Sequence, residues 1–327
     1  MNILLTGGAG YIGSHLIVSL KSAGHQCIVY DNLSTGNAAA VREAELIVGD
    51  IRDLEKLTTT LKSEAIDAVI HLAAYIDAAE SVENPDKYFR NNTVGGLTLL
   101  EAMRAAGVKK MVFSSTAAVY GIPEHIPISE TDRTEPINPY GASKLCVEYM
   151  MRGFAQAYNM GFVSLRYFNV AGALPDGSIG EAHQPETHLI PRVLEVALGK
   201  SDKITIFGDD YDTPDGTCIR DYIHVVDLCN AHVLALDAIE MGKVKVFNLG
   251  NGEGFSVKQV IETCREITGE EIPAQIAPRR AGDPPRLVAS CKKAEEELGW
   301  QRKYPDLKTI ISHAWAWHKS HPDGYGT

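Results

Sequence analysis

The chain lacks any cysteine spacing suited to a zinc knuckle or a disulfide framework. Its six cysteines, Cys27, Cys146, Cys218, Cys229, Cys264 and Cys291, stand far apart, with no C-x-x-C pair among them. Dispersed thiols suit buried small residues in a reducing compartment, so a cytoplasmic location is expected, and no metal. No apolar run reaches the ~18 residues that span a bilayer. The opening MNILLTGG has neither a basic n-region nor a cleavable pattern, so no membrane partner is expected. Positive charge is scarce and scattered: 31 lysines and arginines face 42 acidic residues, for a net charge of −11. Lys109-Lys110 and Arg279-Arg280 are isolated pairs. A field of that sign repels polyanions, which argues against nucleic acid. No internal repeat or low-complexity tract is visible.

What the sequence does have is alternation. Short apolar, β-branched runs at 3–6, 27–31, 45–49, 68–72, 110–114 and 162–167 read as strands, and helix-length amphipathic stretches at 12–23, 87–106 and 140–158 lie between them. Near-continuous apolar strands separated by helices predict a parallel sheet covered on both faces, a doubly wound α/β fold. After about Ala171 the pattern changes. Residues 172–186 are rich in Gly, Pro and charge and read as a long loop, followed by shorter elements. The division expected is a nucleotide-binding domain over 1–171 and a smaller C-terminal substrate-binding domain over 172–327, with a strand near 245–249 rejoining the first sheet.

The first strand runs into Gly7-Gly8-Ala9-Gly10-Tyr11-Ile12-Gly13, a G-x-G-x-x-G loop opening a helix. Such glycines let the backbone turn sharply and approach a pyrophosphate on the helix N-terminus. The motif alone is weak, because glycine turns also serve packing. Asp31, at the end of the second strand, stands where an acid accepts from an adenosine ribose. A carboxylate there repels a 2′-phosphate, which favours NAD over NADP. Asp50 ends the third strand and is a candidate for the adenine amino group.

Beyond the fifth strand come Ser114-Ser115-Thr116, and then Pro139-Tyr140-Gly141-Ala142-Ser143-Lys144. Residues i and i+4 share one helix face. A free tyrosine, with a pKa of about 10, is a poor base at neutral pH. A nearby ammonium and a positive nicotinamide ring would both favour its phenolate. Y-x-x-x-K is common by chance; its place after a hydroxyl-bearing strand end, behind a dinucleotide loop, gives it weight.

These residues resemble the extended short-chain dehydrogenase/reductase family, a Rossmann-fold family, and within it the enzymes that epimerise UDP-sugars. The resemblance spans essentially the whole chain: TGGAGYIGSH, DNLSTG, GDIRD, FSSTAAVYG, NPYGASK, LRYFNVAGA, IFGDDY, DGTCIRDYIHVVDL, FNLGNGEGFSV, APRRAGDPPRLVAS and HPDGYG. It implies oxidation of the sugar C4 hydroxyl by NAD, rotation of the 4-keto sugar, and return of the hydride to the other face. Tyr140 is then the acid/base, Thr116 its hydroxyl partner and Lys144 the phenolate stabiliser. The implied NAD contacts are Gly7, Gly10, Tyr11, Ile12, Gly13, Asp31, Asn32, Leu33, Ser34, Thr35, Gly36, Asp50, Ile51, Leu72, Ala73, Ala74, Asn91, Ser114, Tyr140, Lys144 and Phe168. The implied UDP-sugar contacts are Thr116, Tyr140, Asn169, His188, Leu189, Thr205, Phe207, Arg220, Arg280, Asp283 and Leu287. Arginines suit a diphosphate; taken singly, Arg220-Asp221 also reads as a surface pair and Phe207 as core.

Three positions depart from relatives: Ile76 replaces a lysine near the cofactor, His188 an asparagine beside the sugar nucleotide, and Leu287 a gate residue that is a bulky tyrosine in some. Ala117-Ala118 follow Thr116 where sugar-nucleotide dehydratases need an acid/base pair, which argues against elimination. A non-catalytic NAD sensor would have no need of Thr116, Tyr140 and Lys144 together. Family members pair two helices across a two-fold axis. A homodimer is therefore expected here, through 87–106 and 140–158, with Leu97, Leu100, Leu145, Tyr149 and Phe154 as apolar candidates.

Overall fold

The computed structural model describes residues 1–280 and 283–326; Ala281 and Gly282, inside the APRRAGDPPRLVAS stretch, and Thr327 lie outside the described residues. Seven strands form one parallel sheet: β1 Asn2–Thr6, β2 Gln26–Asp31, β3 Glu45–Val48, β4 Ala68–His71, β5 Lys110–Ser114, β6 Gly161–Tyr167 and, far along the chain, β10 Val244–Leu249. Their order is β10-β6-β5-β4-β1-β2-β3. The chain reverses direction across the sheet between β1 and β4, the place where doubly wound folds hold ligands. β4 and β5 are apolar and buried almost throughout (AVIH and KMVFS), as strands covered on both faces must be.

Two cores flank the sheet. On one face Leu16, Ile17 and Leu20 of the helix Tyr11–Ser22 meet Leu228 and Ala235 of the helix Val225–Asp237. On the other, Leu57 and Leu61 of the helix Leu54–Ser63 meet Leu99 and Met103 of the helix Gly95–Ala106, with Val147 and Met151 of the helix Pro139–Tyr158. A third core belongs to the second half of the chain. Ile190, Val193 and Leu194 of the helix Leu189–Ala197 gather there with Val260, Ile261, Ile310 and Ile311. Beside it lie β7 Asn169–Ala171, β8 Ile204–Phe207, β9 Ile219–His224, β11 Gly254–Ser256, β12 Ala274–Ala277 and β13 Arg286–Leu287. β9 is the hub, flanked by β7, β11 and β13.

One expected helix is interrupted. Residues 87–106 are not a single α-helix: Pro85–Tyr88 is a short α-turn, Phe89–Val94 is π-helical, and only Gly95–Ala106 is regular. The cause is a polar insertion. The buried Asn92 amide accepts from Tyr75 N at 2.9 Å and donates to Tyr75 O and Ser143 Oγ, each at 3.0 Å. Such wide turns often mark functional sites, and this one faces the helix that carries Tyr140. Leu100 and Leu145 are also corrected: at 0% and 7% exposure they belong to the core, unlike Tyr149 at 53%.

Candidate active site

The glycine loop is sterically required. Gly7 has φ +75°, and a Cβ there would stand 2.6 Å from Ala73 N; one on Gly13 would stand 2.5 Å from Gly8 Cα. The loop is therefore pressed against the chain beyond β4 and against itself, and only glycine fits. The helix it opens, Tyr11–Ser22, is preceded by Gly10 and has no side-chain cap, so its first N–H groups are left for an anion. Asp31, 8% exposed, accepts from Ala9 N at 3.0 Å and Leu33 N at 2.8 Å, tying the second strand end to the loop.

The other expected dinucleotide contacts follow the sheet order. Gly7 lies beyond β1, Asp31–Gly36 at the end of β2, Asp50 and Ile51 beyond β3, Leu72–Ala74 beyond β4, Ser114 at the end of β5 and Phe168 beyond β6. Ile12 and Gly13 start the first helix, whereas the Tyr11 hydroxyl donates to Gly172 O at 2.7 Å, joining the loop to the second half of the chain. Asn91 is buried in the π-helical turn. Asn32, Ser34 and Thr35 are exposed. Asp50 is already engaged: Arg52 Nε and Nη2 donate to it at 2.8 and 2.6 Å, and that pairing holds its carboxyl down to about 2. Ile76 is exposed.

Thr116 precedes a short 3₁₀ turn, and its Oγ1 accepts from Ala118 N at 3.1 Å. Asn138 caps the helix Pro139–Tyr158 by accepting from Gly141 N at 2.8 Å, and Pro139 fills its first position. Tyr140 and Lys144 are thus held at the start of a rigid helix. Lys144 is 2% exposed; its Nζ donates to Ser114 O at 2.8 Å, and burial pulls its ammonium down to about 7. Burial raises the Tyr140 phenol, and the Thr116 hydroxyl opposes that shift. The expected lowering needs the nicotinamide ring as well as the lysine. Lys144 is spent on a carbonyl and is itself destabilised as a cation, so in the protein alone burial wins.

Of the expected substrate residues, Asn169, Arg220, Asp283 and Leu287 meet at β9. Arg220 on β9 forms a salt bridge with Asp283, and its register partner is Leu287 on β13. Asn169 on β7 donates through Nδ2 to Asp221 O at 3.0 Å. The Arg280 guanidinium lies 4.0 Å from the centroid of the half-buried Phe207 ring. Thr205 sits farther along β8 and accepts from Gln275 at 3.1 Å. His188 precedes the helix that Leu189 begins. The Arg220-Asp221 surface-pair reading fails, because Asp221 is fully buried and accepts instead from Asn251, Gly252 and Ala289 backbone N–H groups. Two open depressions, about 620 Å³ around Trp300 and Arg302 and about 820 Å³ around Phe255 and Leu307, contain none of the expected substrate residues.

Sequence reading missed the support beneath the helix. Glu148, one turn beyond Lys144, forms a buried ion pair with Arg166 of β6 at 2.6 Å and also accepts from Ser115 at 2.7 Å and Ser164 at 2.9 Å. Arg166 reaches the Tyr120 hydroxyl at 2.9 Å, which donates to Asn248 of β10 at 2.7 Å. The signal available was the strand-interior arginine in LRYFN, since a charge in a covered strand needs a partner.

Residues 3–250 match the model of the NAD dependent epimerase/dehydratase family. A UDP-glucose 4-epimerase of Halalkalibacterium halodurans is 56% identical over 100% of this chain and 98% of its own length. A crystal structure of a UDP-glucose 4-epimerase superimposes with a TM-score of 0.96 at 52% identity, covering all of both chains. That of the Bifidobacterium longum UDP-glucose 4-epimerase, solved with NAD+ and UDP, gives 0.95 at 38% identity, over 99% of this chain and 100% of the other.

Proposed function

The chain belongs to the NAD dependent epimerase/dehydratase family, and from that premise we propose that it interconverts UDP-glucose and UDP-galactose by epimerisation at C4. The observation that carries the reading is the Thr116 hydroxyl beside the Tyr140 phenol, one helical turn from the buried Lys144, on a sheet whose first strand ends in a loop with no room for a Cβ at Gly7 or Gly13. Full-length similarity to UDP-glucose 4-epimerases supports it.

Bound NAD supplies an acceptor for the C4 hydride and a positive ring that favours a phenolate beside it. The glycine loop and the uncapped helix start hold the pyrophosphate, and Asp31 accepts from the adenosine ribose. Tyr140 Oη takes the proton of the C4 hydroxyl as the hydride leaves, and returns it when the hydride comes back. Thr116 Oγ1 orients the substrate oxygen. Arg220 and Arg280 clamp the diphosphate, and Phe207 packs on uracil. The 4-keto sugar turns over between the two transfers, so contacts at the sugar end must be few. Free thiols at all six cysteines suit the cytoplasm. The deciding experiment is a coupled assay of the purified chain against a panel of UDP-sugars. Conversion of UDP-galactose to UDP-glucose is expected, and a chain that neither converts them nor reduces its cofactor would be an NAD-binding protein of another kind.

Leu287 sets the width of the sugar pocket in this reading. Leucine leaves more room than the tyrosine of some relatives, so UDP-GlcNAc and UDP-GalNAc are expected to interconvert as well. Leu287→Tyr should lower kcat/KM for the acetamido pair about 10- to 100-fold by clash, with a smaller effect on the hexose pair. Equal losses for both pairs would remove Leu287 from the gate.

A homodimer completes the proposal. On the helix Pro139–Tyr158, the exposed Tyr149, Gly153 and Ala157 share a face with the half-buried Cys146 and Met150, and Val94 is exposed just before the helix Gly95–Ala106. Small residues among apolar ones suit close helix packing across a two-fold axis. Sedimentation at micromolar concentration should show a dimer, and Tyr149→Asp should weaken it at least ~10-fold, as loss of an interface aromatic does. A parent that sediments only as monomer ends this part of the proposal.

A further inference from the structure

Four side chains of the long loop beyond β7 and its junction with the helix Leu189–Ala197 converge on one point: Glu181, His183, Glu186 and His188. One nitrogen or oxygen from each lies within 4.8 Å of the other three. Nδ1 of His183 and Nδ1 of His188 both face Oε1 of Glu181, at 3.0 and 2.9 Å. Glu186 closes the group, with Oε1 at 3.0 Å from His188 Nδ1 and Oε2 at 3.7 Å from His183 Nδ1. The Glu181 and Glu186 side chains are only 3% and 5% exposed. Two carboxylates so far from water need compensating positive charge, which two imidazolium protons or one divalent cation in their place can supply.

The spacing fits a metal. Ligand atoms at ~2.0–2.1 Å from a tetrahedral zinc stand ~3.3 Å from one another; three of the histidine-to-carboxylate separations are 2.9 to 3.0 Å, the fourth is 3.7 Å to the second oxygen of Glu186, and one atom from each residue lies within 4.8 Å of the others, so small side-chain shifts seat the ion. Two imidazoles with two carboxylates suit zinc better than calcium or magnesium, which prefer all-oxygen sets. Four protein ligands leave no open position, the mark of a structural site. We infer that Glu181, His183, Glu186 and His188 form a structural zinc site, using Nδ1 of each histidine and one oxygen of each glutamate. The charge balances: with both imidazoles protonated, one Zn²⁺ displaces two Nδ1 protons, and two N–Zn bonds replace two N–H bonds.

The ion would fasten an irregular segment at two points. Glu181 O accepts from Trp317 Nε1 at 3.0 Å, on the helix Leu307–Ser320, and His188 immediately precedes the helix that Leu189 begins. The benefit to UDP-sugar binding through Leu189 rests on the epimerase reading; the metal site does not. The test needs no substrate. Full-length protein is stripped with a chelator, mixed with excess Zn²⁺ or Co²⁺, and freed of unbound ion by gel filtration. One equivalent per chain by mass spectrometry, a higher melting temperature with Zn²⁺ and the intense visible bands of tetrahedral Co²⁺ are expected. His183→Gln and Glu186→Gln should each weaken Zn²⁺ binding at least ~10²-fold, more than loss of an outer partner does. Substoichiometric metal in the parent, a pale octahedral Co²⁺ spectrum, or two variants that bind like the parent would overturn the site.

Discussion

Tyr140→Phe is expected to lower turnover of UDP-glucose and UDP-galactose by at least ~10²-fold, the lower range for losing a general acid/base, while NAD stays bound. The ring is kept and only the ionisable oxygen is lost. The helix start is held by the Asn138 cap and by Lys144 on Ser114 O, neither of which involves the phenol. The pH dependence follows from the same oxygen. Burial raises the Tyr140 phenol in the protein alone, so the base form depends on positive charge brought by the cofactor. Parent activity should fall as pH drops through the phenol's pKa in the complex, and the variant's residual activity should lack that limb. Near-normal turnover in the phenylalanine variant would remove Tyr140 from the chemistry.

Arg166→Met should destabilise the protein by about 3–5 kcal/mol, the usual cost of stranding one partner of a buried ion pair. Glu148 and Arg166 are 0% and 2% exposed, and the glutamate lies on the helix that bears Tyr140 and Lys144. Burial pushes Glu148 up, but the hydrogen bonds and charge of Arg166, with Ser115 and Ser164, hold its carboxyl below the ordinary value. The parent pair therefore stabilises above the unfolded carboxyl pKa and loses that contribution as pH falls. Without Arg166 the folded pKa rises above the unfolded one. The variant should then be least impaired at acidic pH and lose further stability as pH rises through the folded pKa. Urea melts at mildly acidic and mildly alkaline pH measure this. Glu148→Gln added to Arg166→Met should recover part of the loss, and a variant with the parent's midpoint and pH profile would show that the pair does not carry the helix.

Local pattern reached far in this chain. The six expected strands of the first half lie within one residue of their observed ends, because a covered parallel strand must be apolar along its whole length. The helix 87–106 was misread because Leu99, Leu100 and Met103 give a helical period, whereas the π-turn arises from Asn92 bonding to Tyr75 and Ser143. Neither partner is near in sequence. Leu100 and Leu145 were read as interface residues for a related reason: periodicity marks an apolar face but not what covers it. Glu148 and Arg166 are 18 residues apart and on different elements, so nothing local pairs them.

The sequence alone determined the doubly wound sheet, the dinucleotide loop and the Y-x-x-x-K helix, since each is written in contiguous residues and their order along the chain gives weight to motifs that are weak singly. Only the tertiary structure decided that Arg220 pairs with Asp283, that Lys144 is spent on Ser114 O, and that two glutamates and two histidines meet at one point. Those facts depend on strand register and loop course. They set distances between side chains, and on such distances charge, protonation and metal affinity depend.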